Sequence, residues 1–265
     1  MFPLPPAQIV TIPPLEQPAV VIRRNVATAA VRKFAGHVTM EMHMPPALAA
    51  MAGGSGAPTK PMSMSFTLIE HQTPIRGKNK AKITTQMRDF KMSGAPMSGM
   101  PMMNTVPAYT LVLDNRDGGS IPSLSATMPM QMSNVAPSLP PLPFGPVKCG
   151  QEWSPFGSGS SELRAFAAGA KVEYLGVEMI GHTPCYHLQT TMNIDMARAM
   201  KSTGKSMPTG MGPIKGDIIE IVDLFLNTAD GDLQTGQVTT CVVMDLSAMG
   251  VGQMRMLSSA DFARD

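Results

Sequence analysis

Runs of alternating apolar and polar residues dominate the chain and predict β-strands. Around residue 111, the side chains of Tyr109, Leu111 and Leu113 fall on one face of such a strand. The run 218–226 is apolar on both faces, which predicts a strand that is central in its sheet or covered on both sides. The run 238–244 follows closely, and we expect it to pair back on the 218–226 strand.

Turn signals separate these strands. Asp117-Gly118 and Asp230-Gly231 each lie between two β-rich runs. An Asp-Gly pair in that position predicts a hairpin, because type I′ turns need positive φ angles at both central residues. Successive strands joined by short turns run antiparallel, so the sequence predicts antiparallel pairing.

Helices are expected to be few and short. One is predicted over 25–34, with Asn25 as its N-cap. Further short candidates span 46–51, 160–168 and 195–201. The predicted fold class is therefore mainly β: an antiparallel curved sheet or half-barrel, duplicated within the chain and carrying a few short helices.

Two Pro-rich segments divide the chain. Residues 1–20 predict an N-terminal arm and residues 134–146 a linker, because proline removes a backbone donor and favours extended backbone. We expect a first β unit over 21–133 and a second over 147–265. The arm is apolar without a fold of its own, so it is expected to cover its own domain or add a strand to a neighbour. A partly disordered tail is the alternative.

The two β units share a sequence pattern. Gly77 aligns with Gly181, and residues 83–87 align with 188–192. Each unit is predicted to contain a strand, a turn, a strand, a Met-rich loop, a strand, an Asp-Gly turn and a last strand. We infer an internal duplication from this agreement. The alternative is that any two antiparallel meanders give a similar pattern.

The composition narrows the class of protein. Of 265 residues, 43% are hydrophobic and 15% are charged, and the formal net charge is +2. A chain so weakly basic lacks the electrostatic footprint of a nucleic-acid-binding protein. No run approaches the roughly 18 apolar residues of a membrane-spanning helix, so no transmembrane segment is expected. The chain also begins without a basic segment and an apolar core, so no signal peptide is visible.

Motifs of known catalytic machinery are missing from the sequence, which has no Gly-x-Ser-x-Gly elbow, His-Glu-x-x-His motif or phosphate loop. The chain is therefore expected not to be an enzyme. Cys149, Cys185 and Cys241 are too few for a disulfide framework; one bridge plus a free thiol, or three buried free thiols, both fit. Cys185 and His187 share a strand face, where a buried thiol beside a hydrogen-bonded histidine is favoured over a zinc site.

A family resemblance covers the second unit best. The residues Val-Lys-Cys-Gly-Gln-Glu-Trp-Ser at 147–154, the run 174–188 and the Asp-Gly hairpin after it resemble secreted bacterial β-rich proteins of the lipoprotein-carrier (LolA-like) fold. The resemblance extends over 147–250 and is weaker in the first unit. It implies a curved antiparallel sheet that wraps short helices around an apolar cavity. It also implies an extracytoplasmic location, either extracellular, periplasmic or at the cell surface.

Methionine is unusually frequent, with 26 residues, and many of them are clustered. Thioether sulfur is a soft ligand that suits Cu(I), so the clusters are candidate copper sites. Methionines that alternate along a strand also fit a buried face, because the flexible side chain fills irregular cores. No other cofactor is indicated. The candidate copper ligands are Met40, Met42, His43, Met44, Met97, Met100, Met102, Met103, Met207 and Met211.

These observations lead to two hypotheses about function. The first is a non-enzymatic extracytoplasmic structural or assembly protein that associates into a homo-oligomer or filament through the apolar arm and Met-rich surfaces. The alternative is a binding module for an apolar ligand or for Cu(I) on the Met-rich loops. The arm residues expected to make the assembly contacts are Phe2, Leu4, Ile9, Val10, Ile12 and Leu15.

Overall fold

The computed structural model describes residues 18–46, 61–78, 80–94, 109–114, 142–143, 145–154, 169–197, 215–247 and 250–265. Ten β-strands form one antiparallel sheet within these residues. They are β1 (Ala30–His43), β2 (Met62–Pro74), β3 (Lys80–Ser93), β4 (Tyr109–Asp114), β5 (Glu152–Trp153), β6 (Lys171–Ile180), β7 (Thr183–Asp195), β8 (Lys215–Asn227), β9 (Leu233–Asp245) and β10 (Gln253–Arg264).

The strands lie in the order β4-β3-β2-β1-β10-β9-β8-β7-β6-β5. The first and last long strands, β1 and β10, pair with each other and so join the two predicted units into one sheet. The sheet is antiparallel throughout, which confirms the predicted fold class. The aligned glycines Gly77 and Gly181 both have positive φ angles and lie in the β2–β3 and β6–β7 turns. That equivalence is what the duplication hypothesis expects.

One face of the sheet, the inner face, carries the core. In β1, buried and exposed residues alternate, and Phe34 and Val38 point inward. The even-numbered residues of β8, β9 and β10 have the same orientation, for example Leu224, Val238 and Phe262. These side chains form one apolar cluster that runs from β2 to β6. The odd-numbered residues of these strands lie on the opposite, outer face.

An extended N-terminal segment, residues 20–26, crosses the inner face. At one end, Val20 exchanges two backbone hydrogen bonds with Val147 (2.9 and 2.8 Å), which precedes β5. At the other end, Val26 packs against Ala81 and Ile83 of β3. Six residue steps span about 20 Å, whereas seven strand spacings in a flat sheet, from β6 to β3, would take about 34 Å. The sheet is therefore curved around the segment.

A buried cluster of charges fixes this segment to the sheet. Arg32 Nε lies 2.6 Å from Asp232 Oδ2, and Arg24 Nε lies 3.2 Å from Asp232 Oδ1. Both arginines also contact the carboxylate of Glu70. Each arginine is only 3% exposed. Two positive and two negative groups thus neutralise one another where water is excluded, which is the condition for tolerating buried charge.

Backbone contacts reinforce the same junction. Gln72 Nε2 donates a hydrogen bond to the carbonyl of Asn25 (2.7 Å), and the Asn25 N–H donates to the carbonyl of Asp230 (2.8 Å). Gly231 lies so close that an added Cβ would be 1.9 Å from the carbonyl oxygen of Arg23, and its φ is +70°. Only glycine fits there, because both the space and the backbone conformation exclude a side chain.

The helix predicted over 25–34 is wrong. Residues 30–34 begin β1 instead, because Arg32 and Phe34 must both point to the inner face, which a period of two achieves. Asn25 does accept a hydrogen bond from a backbone amide, that of Ala27 (3.0 Å), but in a turn rather than at a helix. Residue 46 and residues 196–197 are helical, and the rest of those two candidates, with 160–168, lies outside the described residues.

The predictions for β8 and β9 are confirmed in part. The 218–226 strand is central, with β7 on one side and β9 on the other, and the 238–244 run pairs back on it. The Asp230-Gly231 hairpin is also present, but its loop is longer than a two-residue turn, since Asn227 N–H donates to Asp232 O (2.8 Å). Asp117-Gly118 lies outside the described residues. The described residues leave the outer face uncovered at Ile219 and Ile221, which are 41% and 36% exposed.

We expect Asp232→Ala to lower the free energy of unfolding by about 3–5 kcal/mol, because it removes one of the two carboxylates that two buried guanidinium groups share. Equilibrium urea unfolding measures this change. Asp261→Ala is the matched control, since Asp261 is exposed on β10, and it should change stability by less than about 0.5 kcal/mol. Equal effects of the two substitutions would contradict the assigned role of the cluster.

Candidate functional site

Three separate methionine clusters of the sequence meet on the inner face. Met40 lies opposite Met62 of β2, and Met42 lies opposite Met256 of β10. Met64 continues the row along β2. All five are partly buried. Directly opposed residues have Cβ atoms about 4.5–5.5 Å apart, so these side chains form one apolar surface, here called the methionine group.

The methionine group lies at one end of the sheet, the methionine end. Neighbouring strands alternate in direction, so several connections start at this end of the sheet. Three of them also return to the sheet there, namely β1–β2, β7–β8 and β9–β10, and the β3–β4 connection starts there too. Met44 stands just past β1. Of the predicted copper ligands, four fall in the β3–β4 connection and two in the β7–β8 connection. The opposite end of the sheet carries the tight turns and the charge cluster.

The structure separates some of the predicted ligands. His43 is exposed on the outer face, opposite Arg255, whereas Met40 and Met42 point inward. His43 therefore does not join them in one site, because successive residues of a strand point to opposite faces. The remaining candidates lie outside the described residues: Met97, Met100, Met102, Met103, Met207 and Met211, and the arm residues Phe2, Leu4, Ile9, Val10, Ile12 and Leu15.

A polar row borders the methionine group and was missed by the sequence analysis. Glu220, Thr240 and Ser258 lie directly opposite one another on β8, β9 and β10, all on the inner face. The next residue in the row is Met40 of β1, and on the other side it is Met192 of β7. The sequence does contain a signal for this row: each of the three apolar strands has one polar residue at a position whose side chain faces the core. Alternation alone does not show that three such residues share a row.

Glu220 is a carboxyl group in apolar surroundings. Its neighbours along β8 on the same face are Ile218 and Val222, and Met192 lies opposite on β7. Burial raises the pKa of Glu220 above its usual value, an effect that the Thr240 hydroxyl partly offsets. Among the described residues, the burial of this carboxyl group therefore outweighs the hydrogen bond that favours its charged form.

A second polar cluster lies on the outer face around His187. His187 Nδ1 is 2.8 Å from Glu178 Oε1, and His187 Nε2 is 2.9 Å from Asp223 Oδ1. Gln189 Nε2 donates a hydrogen bond to the same Asp223 oxygen (2.9 Å). The imidazole also stacks on the ring of Phe225, with centroids 4.3 Å apart. A histidine between two carboxylates favours its protonated form, in which both ring nitrogens donate.

Two opposing effects set the charge of this cluster. Burial on its own lowers the pKa of His187, but the hydrogen bonds and charges of Asp223 and Glu178 outweigh it, so the pKa is raised. Burial likewise acts to raise the pKa of Asp223, yet the hydrogen bonds from His187 and Gln189 leave it lowered. The imidazolium–carboxylate pair is therefore the stable form, and His187 has no free ring nitrogen for a metal ion.

All three cysteines are free thiols, but only Cys185 is buried, whereas Cys149 and Cys241 are half-buried. Burial raises the pKa of Cys185 to about 11, with Asp230 adding to the effect. The pKa of Cys149 is also raised, mainly by burial and then by Glu173. A thiol is nucleophilic as thiolate, so these two groups are poor nucleophiles at neutral pH.

Metal ligands of the usual kinds do not cluster in the described part of the chain: no group of three His, Cys, Asp or Glu side chains there is arranged to hold an ion. Thioether sulfurs are a separate class, and the methionine group brings five of them onto one face. No helix of the described residues has the length and apolar character to cross a membrane.

The comparisons with known proteins give no family. No family model matches the chain, and no curated protein matches it. A solved structure that it matches is a conserved protein of unknown function with a hot dog fold from Alicyclobacillus acidocaldarius, at 10% identity over 87% of this chain and 78% of the other. The TM-score is 0.12, too low to show a shared fold.

We expect the stability of the protein to fall as the pH rises above about 6.5, the unperturbed histidine value. A group whose pKa is raised on folding stabilises the fold fully below its unfolded pKa and loses that contribution as the pH passes its folded pKa. Asp223→Asn should flatten this dependence. Urea unfolding at a series of pH values measures it, and His71→Gln, at an exposed site on β2, is the control. A D223N profile parallel to that of the original protein would contradict the assignment.

Proposed function

We propose that the chain is a non-enzymatic binding module and that the methionine end of its curved sheet receives an apolar ligand. The observation that carries this proposal is the methionine group itself. Five partly buried methionines from three strands lie on one face. Methionine is unbranched and polarisable, so a surface made of it adapts to ligands of different shape.

The arrangement of the sheet supports this choice. The centre of the inner face is filled by the apolar cluster and by the segment 20–26, and the charge cluster lies near the tight-turn end. Apolar side chains that are only partly buried on the inner face concentrate at the opposite end, for example Met40, Met42 and Ile218. An incompletely buried apolar surface at the open end of a curved sheet is typical of a ligand site.

Cu(I) is a second candidate ligand, because the same side chains supply soft sulfur donors. The two candidate ligands require different properties of these side chains. An apolar molecule needs apolar area, which Leu supplies as well as Met, whereas Cu(I) needs the sulfur atom. Substitution by Leu and by Gln therefore distinguishes them, since both replacements keep a similar volume.

We expect the double variant Met40→Gln/Met42→Gln to bind an uncharged, environment-sensitive naphthylamine dye at least about tenfold more weakly than the original protein. Fluorescence titration measures the affinity. Met179→Gln is the matched control, because Met179 lies on β6 and belongs to no part of the methionine group. Unchanged affinity in the double variant would contradict the proposal.

The corresponding Leu variant, Met40→Leu/Met42→Leu, should keep its affinity for the dye. If that variant instead loses a stoichiometric Cu(I) site that the original protein possesses, in a titration against a Cu(I) chelator, the copper alternative is favoured.

The extracytoplasmic location implied by the LolA-like resemblance remains part of the proposal, and a LolA-like apolar cavity would be consistent with it.

Self-association is a separate proposal, and an exposed apolar row on the outer face supports it. Leu257 and Ile219 are 44% and 41% exposed on the outer face, and both lie opposite Cys241 of β9. They form an apolar row on the outer face, of the kind that a second copy can cover.

We expect deletion of residues 1–17 to convert a homo-oligomer into a monomer, measured by light scattering. The deletion must stop before Pro18, because Val20 and Ile22 already pair with or pack in the folded body. Leu257→Thr in the full chain tests the outer row on its own. An oligomeric state that neither change affects would rule out both contacts.

A further inference from the structure

We propose that the ligand of the methionine end is a cationic amphiphile, in which an apolar body packs on the methionine group and a protonated amine binds the row Glu220–Thr240–Ser258. This inference rests on the proposed function and names the chemical class of its ligand.

The geometry places three oxygen-bearing side chains side by side, of which Glu220 is partly buried and Thr240 and Ser258 are buried. Glu220, Thr240 and Ser258 are directly opposite neighbours on three adjacent strands. Neighbouring strands are about 4.8 Å apart, so an ammonium group above the row has a carboxylate and hydroxyl oxygens nearby. An ammonium has three N–H donors and no acceptor, and this row offers acceptors.

The Thr240 hydroxyl lies beside the Glu220 carboxyl and keeps the pKa of that group from rising further. Thr240 is 2% exposed, and its Oγ1 has no hydrogen bond of good geometry among the described residues. A buried hydroxyl that is incompletely satisfied in this way calls for a further partner, such as a ligand or a water molecule. The hydroxyl lies on the inner face beside the Glu220 carboxyl, and in the same row Ser258 separates Thr240 from Met40.

No described cation faces Glu220 from the strands that flank it. The opposite and diagonal positions are apolar or neutral, and the nearest charged residues of β8, Asp217 and Asp223, point to the outer face. The inner-face neighbours are Thr190, Met192 and Ile194 on β7, Ile218 and Val222 on β8, and Val238, Thr240 and Val242 on β9. A cation bound beside Glu220 would therefore supply a counter-charge that the flanking strands do not provide.

The charge of Glu220 selects among amphiphiles. A fatty acid would place a second carboxylate beside the first, and like charges repel in a site of low dielectric constant. A long-chain alcohol would leave the Glu220 charge uncompensated. A protonated amine supplies the opposite charge and three donors together, so it satisfies the carboxylate and the Thr240 hydroxyl at once.

The test uses the full chain and three fluorescent probes with one identical dye-labelled alkyl chain, ending in a primary amine, an alcohol or a carboxylate. We expect the amine to bind at least about tenfold more tightly than the carboxylate. Glu220→Gln should weaken binding of the amine about tenfold and change binding of the alcohol less than about twofold. Glu41→Gln is the matched control, because Glu41 lies on the outer face of β1.

A second variant keeps the proposal testable if Glu220→Gln unfolds. Thr240→Val keeps the shape of the side chain and removes its hydroxyl. It should therefore weaken binding of the amine probe while leaving the unfolding midpoint of the protein unchanged or higher. If all three probes bind with equal affinity and neither variant changes it, the cationic ligand is refuted while the apolar site stands. If none of the probes binds, the proposed function fails and the inference fails with it.

Discussion

The fold depends on the buried contact between Asp232 and the two arginines, Arg24 and Arg32. Asp232 is the last residue of the β8–β9 loop, Arg32 belongs to β1, and Arg24 belongs to the segment that crosses the inner face. This one carboxylate therefore ties together three parts of the chain that lie far apart in sequence. Without it, two buried arginines would share the single carboxylate of Glu70, and the crossing segment would lose one of its main contacts with the sheet.

The same arrangement gives the sheet two unlike ends. The tight-turn end is closed by ion pairs, by the Gln72 hydrogen bonds and by Gly231 packed on the segment. At the methionine end the partly buried side chains are flexible thioethers beside a row of polar groups. Charge pairing at one end and a surface of flexible thioethers at the other fit the ligand-binding function proposed above. The His187 cluster is separate from both, because it lies on the outer face.

Local patterns predicted the strands well and long-range contacts poorly. The 218–226 strand and its Asp230-Gly231 hairpin follow from alternation and turn chemistry, which involve near neighbours. The helix at 25–34 was wrong because Arg32 meets a partner 200 residues away, and that contact outweighs local helix propensity. For the same reason the row through Glu220 and Thr240 was not foreseen, whereas the methionines were, because clustering is visible along the chain. Their pairing across β2, β1 and β10 depends on strand order, which only the structure supplies.

The most direct test of the account is NMR of the full chain with methyl-labelled methionine during titration with the uncharged dye. The account predicts that the methyl signals of the methionine group (Met40, Met42, Met62, Met64 and Met256) shift together with one dissociation constant, while the signal of Met179 stays in place. Saturable binding that shifts Met179 and leaves the methionine group unmoved would contradict it, and so would the absence of any shift at dye concentrations that saturate fluorescence.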